Sequence, residues 1–244
     1  MANRYDAIII GTGQAGPALA ARLTKEGLKT AIIERGRIGG TCVNTGCIPT
    51  KTLVASARVA WLANRAGDFG ITIGSPMQVE MARVKSRMDA VVHHSTEGLE
   101  KWFDGMQGLT FIRGHARFTG PNTISVNDEE LTAPKIFLDV GARAAVPDMP
   151  GLNDVPYLTN SGMMTVDFMP PHLIIVGGSY IGLEFAQMYR RFGSRVTVVE
   201  MAPRLIGRED EDVSDAVREI LEGEGIDVRL NARCIAVAKH ADGV

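Results

Sequence analysis

The sequence predicts an α/β protein built from two copies of one strand, turn, helix, strand unit, with a long helix and a small antiparallel β-meander inserted between them. Two observations predict it. An apolar β-rich run, Tyr5 to Ile10, leads directly into Gly11-Thr12-Gly13-Gln14-Ala15-Gly16; an Ala/Leu-rich helical stretch then runs to about Gly27, and a strand from Thr30 to Ile33 ends on the acid Glu34. The same order returns with a strand at Leu173 to Val176, the turn Gly177-Gly178-Ser179-Tyr180-Ile181-Gly182, and a strand from Val196 to Val199 ending on Glu200. Gly11 and Gly177, Gly16 and Gly182, Gly27 and Gly193, and Glu34 and Glu200 are all separated by one constant offset, 166 residues.

The first unit has a physical reading. Its glycines allow a tight turn, let the backbone approach a pyrophosphate, and bring helix close to strand; the acid ending the second strand can accept hydrogen bonds from ribose hydroxyls. The candidate residues are Gly11, Gly13, Gln14, Ala15, Gly16, Glu34 and Arg35 in the first unit, and Gly177, Ser179, Tyr180, Ile181, Gly182 and Glu200 in the second. Two Rossmann-like dinucleotide sites are therefore expected. Ser179 replaces the second glycine of the motif, which narrows pyrophosphate approach at the second turn.

After Glu34 comes Gly39-Gly40-Thr41-Cys42-Val43-Asn44-Thr45-Gly46-Cys47-Ile48-Pro49-Thr50-Lys51. Proline is tolerated in the first turn of a helix, and the apolar run behind it (Leu53, Val54, Ala57, Val59, Ala60, Trp61) has no breaker before Gly67. Cys47 is thus expected just ahead of a helix N-terminus, where the dipole favours a thiolate. The two cysteines read either as buried free thiols or as a bridged pair. A bridge would close so small a ring that it stabilises the fold by only about 2 kcal/mol, which suits a bond made to open and close.

Residues 77–104 carry Met81, Val84, Met88, Val91 and Trp102 at helical spacing, so a long amphipathic helix packed on its own domain is expected. The adjacent His93 and His94 face different sides of it and make a poor metal pair. From Leu109 to Val140 the pattern turns to short β-runs broken at Gly120-Pro121-Asn122 and Asn127-Asp128, read as the meander, and closes with an apolar strand at Lys135 to Val140 before Gly141. Pro147, Pro150, Gly151 and Pro156 mark the inter-domain link. The charge run Arg208 to Asp212 is read as capping and solvating a helix over about 210–222. Strands follow at Asp227 to Leu230 and Cys234 to Ala238, with Cys234 a buried, inert thiol. The eleven methionines, Met163, Met164 and Met169 among them, read as core filling.

Composition excludes several classes. A 45% hydrophobic fraction over 244 residues suits a packed globular core, while a net charge of −2 without a basic block argues against nucleic acid. No apolar stretch has the length of a membrane span, and no export signal is visible. Three cysteines do not make a secreted disulfide framework, so a reducing, cytoplasmic setting is expected.

The string from Gly39 to Lys51 resembles the active site of the FAD-dependent pyridine nucleotide-disulfide oxidoreductases. The resemblance covers nearly the whole chain and implies an FAD-binding domain over 1–148, holding the cysteine pair and the meander, and an NAD(P)-binding domain over 149–244 that is truncated. It implies that electrons pass from NAD(P)H through FAD to a redox-active Cys42–Cys47 disulfide, with Cys47 facing the flavin and Cys42 exposed to exchange with substrate. Lys51 then matches the lysine near the flavin, Glu184 its ion-pair partner, and Tyr180 the ring that nicotinamide displaces; Gly40, Thr41 and Ala116 match FAD-contacting positions. Where the family often has Ala-Thr-Gly, this chain has Asp139-Val140-Gly141, a partial match that keeps Gly141.

Thr41-Cys42-Val43-Asn44 with Ile48-Pro49-Thr50-Lys51 is similar to the mercuric-reductase-like branch, with dihydrolipoamide dehydrogenase as the alternative, and the acceptor is expected to be a disulfide or a metal ion. Glu200 favours NADH, and Arg204 and Arg208 leave NADPH possible. Family members continue with a dimerisation domain bearing an acid/base histidine, so the chain is expected to be the first half of a homodimeric enzyme. A chain of this length also fits a non-catalytic FAD/NAD-binding fragment.

Overall fold

The computed structural model describes residues 3–74, 77–240 and 243. The chain divides into two compact units, Met1–Pro49 with Asp89–Arg143, and Thr50–Met88 with Ala144–Val244. This differs from the expected division at 148/149, since residues 50–88 were expected in the first domain. The reason is packing: Leu53, Ala57, Ala60, Met81 and Met88 are buried in one core with Leu183, Met188, Tyr189 and Leu221.

In the first unit, β1 (Asn3–Arg4), β2 (Ala7–Ile10), α1 (Ala15–Lys25) and β3 (Thr30–Glu34) are followed by a short helix α2 (Gly40–Asn44) and the start of α3 (Cys47–Asn64). Helix α3 therefore begins at Cys47 itself. After the end of α4 (Met81–Asp104) come β4 (Leu109–Arg113), β5 (Arg117–Gly120), β6 (Thr123–Val126), β7 (Glu129–Thr132) and β8 (Ile136–Leu138).

A parallel sheet in the order β4-β3-β2-β8 carries the unit. Alternate residues bury opposite faces. Ile8, Ala31 and Ile33 pack with Ile124, Val126 and Leu131 of the second sheet, whereas Ile9 and Ile32 pack with Ala20 of α1 and Phe103 of α4. The second sheet, β1-β7-β6-β5, contains the antiparallel meander. Its β6–β7 connection places both Asn127 and Asp128 at positive φ, which a two-residue hairpin of the primed type requires.

Leu109 to Arg113, expected in the meander, instead pairs in parallel with β3. Leu109 and Phe111 turn to the helical face and Ile112 to the meander face, so both sides of this strand are covered. The strand expected over Lys135 to Val140 is confined to Ile136–Leu138.

Helix α4 starts at Met81, and its buried positions are Met81, Met88, Val92 and Phe103 rather than a stripe through Val91 and Trp102, which are exposed. His93 and His94 are exposed as expected, and His93 pairs with Glu97 at 3.1 Å.

The second unit holds the rest of α3, the start of α4, a short α5 (Asn160–Met163), β9 (His172–Val176), α6 (Tyr180–Phe192), β10 (Arg195–Val199), α7 (Glu211–Gly223) and β11 (Asp227–Arg229). Its strands form a parallel sheet in the order β11-β10-β9, in register Val196↔Leu173 and Val198↔Val228. Met163 and Met164 lie in its core and Met169 packs against it, as core filling predicts. No strand forms over 234–238, and Cys234 is only half-buried, its Sγ 3.7 Å from Met149 Sδ. Among the described residues no helix is long and apolar enough to cross a membrane.

Candidate redox and dinucleotide sites

The first glycine turn leaves β2 at Gly11, whose φ of +109° suits glycine, and a Cβ there would lie 2.0 Å from the Asp139 carbonyl oxygen. Gly11 N–H donates to Ile33 O at 2.8 Å, tying the turn to β3. At the end of β3, Glu34 Oε2 accepts from Thr12 N–H at 3.1 Å and Thr12 Oγ1–H at 2.8 Å, and its Oε1 accepts from Gly36 N–H at 2.7 Å. Each carboxylate oxygen has more than one acceptor direction, so these bonds leave capacity for ribose hydroxyls. Arg35 is exposed beside it.

The cysteine segment is fastened to this turn. Gly39 N–H donates to the buried Thr12 Oγ1 at 3.0 Å, and Gly40 approaches so closely that a Cβ on it would lie 2.8 Å from Gly13 Cα. Cys42 in α2 and Cys47 at the start of α3 form a disulfide with Cα atoms 4.6 Å apart. Cys42 is half-buried and Cys47 exposed. Cys42 lies within α2, whereas Cys47 is the residue at which α3 opens. That end of the helix favours negative charge on the Cys47 sulfur when the bond is reduced.

The surroundings fit a dinucleotide. A cavity of about 300 Å³ lies beside the turn, lined by Gly13, Gln14, Pro17, Val43, Leu99 and Trp102. Asn44 Nδ2–H donates to Ile38 O at 2.8 Å and Gly40 O at 2.9 Å, which fixes the amide, while its Oδ1 is buried with no partner among the described residues. That oxygen is an acceptor able to take a ligand hydroxyl. Gln14, Ala15 and Thr41 are exposed around the same segment; Ala116 is half-buried against the meander core, and Gly141 is exposed with φ +66°.

In the second unit the turn is built the same way. Gly177 N–H donates to Val199 O at 2.8 Å, and Glu200 accepts from Gly178 N–H at 2.6 Å and from Ala202 N–H at 2.7 Å. Ser179 and Ile181 are exposed, and Gly182 packs so that a Cβ would lie 2.7 Å from Gly177 O. Tyr180 O–H donates to Glu209 Oε1, and this bond raises the phenol above its usual pKa of 10.0. Lys51, one turn after Cys47 on α3, forms an ion pair with Glu184 of α6.

Three participants escaped the sequence reading. Thr12 stands at an unspecified position of the motif, and only its hydroxyl on a strand-to-turn junction could have signalled a bridging role. Glu209 was absorbed into a charge run, with nothing in the sequence to link it to Tyr180. Asp139 was visible only as a departure from a familiar string; its Oδ2 accepts from Gly16 N–H at 2.9 Å.

The chain thus carries two matched glycine turns, and a disulfide at the start of a helix, on a Rossmann-like α/β fold. The model of the pyridine nucleotide-disulphide oxidoreductase family matches residues 5–244, and the chain belongs to that family.

Among similar proteins, a probable pyridine nucleotide-disulfide oxidoreductase, RclA of Escherichia coli strain K12, is 36% identical over 99% of this chain and 52% of its own length. Mercuric reductase of Bacillus cereus is 34% identical over 98% of the chain and 38% of its own. Dihydrolipoyl dehydrogenase of Acholeplasma laidlawii is 32% identical over 98% and 72%. The solved structure of the HOCl-induced flavoprotein disulfide reductase RclA from Escherichia coli matches with a TM-score of 0.85 at 36% identity, over 97% of this chain and 51% of that one. The chain thus spans about half the length of the first of these relatives.

Proposed function

We propose that this chain is the relay half of a flavoprotein that takes electrons from NAD(P)H, with NADH favoured, and delivers them through the Cys42–Cys47 disulfide to a disulfide or metal-ion acceptor. The observation that carries the reading is the disulfide itself, closed at the start of α3 on a segment bonded to the first glycine turn. FAD, when bound there, would supply two-electron chemistry between nicotinamide and sulfur. Thr12, Glu34 and the amides of Gly13 to Gly16 would hold its adenosine diphosphate, and Gly40, Thr41, Ala116 and Gly141 would line the rest of its path. Glu200 and the second turn would bind the nicotinamide nucleotide, with Tyr180 over the nicotinamide end. Lys51, held by Glu184, would place a fixed positive charge at the flavin.

The thiol chemistry follows from two sulfurs. After two-electron reduction, the Cys42 thiolate attacks one sulfur of a disulfide substrate and releases the other as a thiol. Cys47, held as thiolate by α3, then attacks Cys42, releases the second substrate thiol and restores the Cys42–Cys47 bond. Paired thiolates also suit a soft metal ion, an acceptor class to which the mercuric reductase relatives and a Cu(II) complex of RclA point. The dihydrolipoyl dehydrogenase relative, of which the chain covers 72%, favours a small dithiol as the alternative partner. The full-length enzyme is expected to be a cytoplasmic homodimer. The test is anaerobic incubation with FAD and NADH followed by thiol counting. Two new thiols that need both additions are expected; their absence, with flavin and NADH binding demonstrated separately, overturns the relay.

A further inference from the structure

Asp139 directly follows β8. Its N–H donates to Ile10 O at 2.8 Å and its carbonyl oxygen packs on Gly11, so its backbone is fixed against the first turn. The side chain then enters the turn: Oδ2 accepts from Gly16 N–H at 2.9 Å, and a Cβ on Gly13 would lie 2.9 and 3.2 Å from the two carboxylate oxygens. Helix α1 receives no capping bond from Gln14 and has no acidic residue in its first turn, so Asp139 supplies the anion that its N-terminus favours. The second turn, which repeats the Gly11 and Glu34 backbone bonds at Gly177 and Glu200, shows no side-chain carboxylate on the Gly182 N–H among the described hydrogen bonds.

We propose that Asp139 is a resident anion of the first turn, competing with the dinucleotide diphosphate for the N-terminus of α1, so that flavin is held weakly and exchangeably. The proposal rests on the reading of the first turn as the flavin site. A helix N-terminus stabilises one anion readily. A second placed a few ångströms from it adds repulsion, and even at the dielectric of water this is worth about a fivefold change in an equilibrium constant. The carboxylate therefore stabilises the flavin-free chain and opposes loading.

The experiment compares the wild-type chain with Asp139→Asn, which keeps an oxygen for Gly16 N–H but drops the charge, and with Asp139→Ala. FAD is titrated into each apoprotein by flavin fluorescence, and the apo melting temperature is measured beside it. Asp139→Asn should bind FAD at least about fivefold more tightly, while both variants melt lower without flavin. If wild type binds FAD and Asp139→Asn binds it equally or less tightly, or if neither variant changes the apo melting temperature, the proposal is overturned and the flavin reading stands. If none of the three proteins binds FAD, the flavin reading of this turn fails and the proposal fails with it.

Discussion

Glu34 and Glu200 do the same work at the same offset. Glu34 closes β3 and Glu200 directly follows β10, and each accepts from the backbone N–H of the residue after the first glycine of its turn, Thr12 or Gly178. Each also accepts from the N–H two residues beyond itself, Gly36 or Ala202. The carboxylate is therefore a brace for the turn, and its loss should be felt without any nucleotide. Glu34→Ala and Glu200→Ala should each lower unfolding free energy by about 1.5–3 kcal/mol, the range for hydrogen bonds to a charged group. Denaturant titration of the apo chain checks this; changes near zero would show that the braces are incidental.

Cofactor choice follows from the same residue. With Glu200 in place NADH should bind more tightly than NADPH, and Glu200→Arg should narrow or reverse that ratio, since a carboxylate repels a 2′-phosphate. Dissociation constants for both nucleotides measure it. A wild-type preference for NADPH, unaltered by the substitution, would assign the pocket to Arg204 and Arg208.

The thiols can be counted. Denatured without reductant, the chain should show one reactive thiol, Cys234, and three after reduction. In Cys42→Ser, the lone Cys47 should alkylate at lower pH than Cys234, because it opens α3. Removing the bond should cost no more than about 2 kcal/mol given its short ring. A larger loss would make the bond structural rather than redox-active.

Lys51 and Glu184 are a solvent-accessible pair, with side-chain exposures of 64% and 35%. Either substitution, Lys51→Met or Glu184→Gln, should therefore change stability by less than about 1 kcal/mol. A double-mutant cycle on urea midpoints gives the coupling, and a value well above that bound would show the pair to be part of the fold's support.

His172 gives the second unit a pH dependence. Its ring accepts or donates at Thr197 Oγ1, 3.0 Å away, and contacts Arg195, while Asp227 and Arg229 stand nearby on β11. Burial, and then Arg195, lower its pKa from 6.5, and Asp227 only partly offsets them. The unfolded chain therefore takes up the proton first. Stability from this group is full above about pH 6.5, declines as pH falls below that value, and is fully lost below the lowered folded pKa. Replacing His172 with Gln should flatten that part of a stability–pH curve; an unchanged curve would clear His172 of the effect.

The glycine turns, their acids and strands β2, β3, β9 and β10 were legible because they are local, each set by a few residues through spacing and backbone chemistry. Spacing left the two cysteines free or bridged, and only the family resemblance paired them. Leu109 to Arg113 was not legible, because its partner, β3, is distant in sequence and only the two covered faces reveal a parallel strand. The helix from Met81 misled for a related reason. Its buried positions serve two different cores, so no single stripe describes it, and the tempting Val91 and Trp102 face solvent. The carboxylate on Gly16 and the Tyr180–Glu209 bond depend on side chains meeting across loops, where sequence spacing carries no signal.

The placement of residues 50–88 in the second unit also bears on biosynthesis. The first unit draws on residues before 144, but Leu53, Ala57, Met81 and Met88 share a core with residues from Met163 to Ile226. At ribosomal rates the nascent chain carries that apolar segment unburied for on the order of ten seconds. A truncation at 148 would carry it permanently, so an isolated N-terminal piece should need a chaperone or aggregate, while cutting out 50–88 together with 144–240 removes the problem at its source.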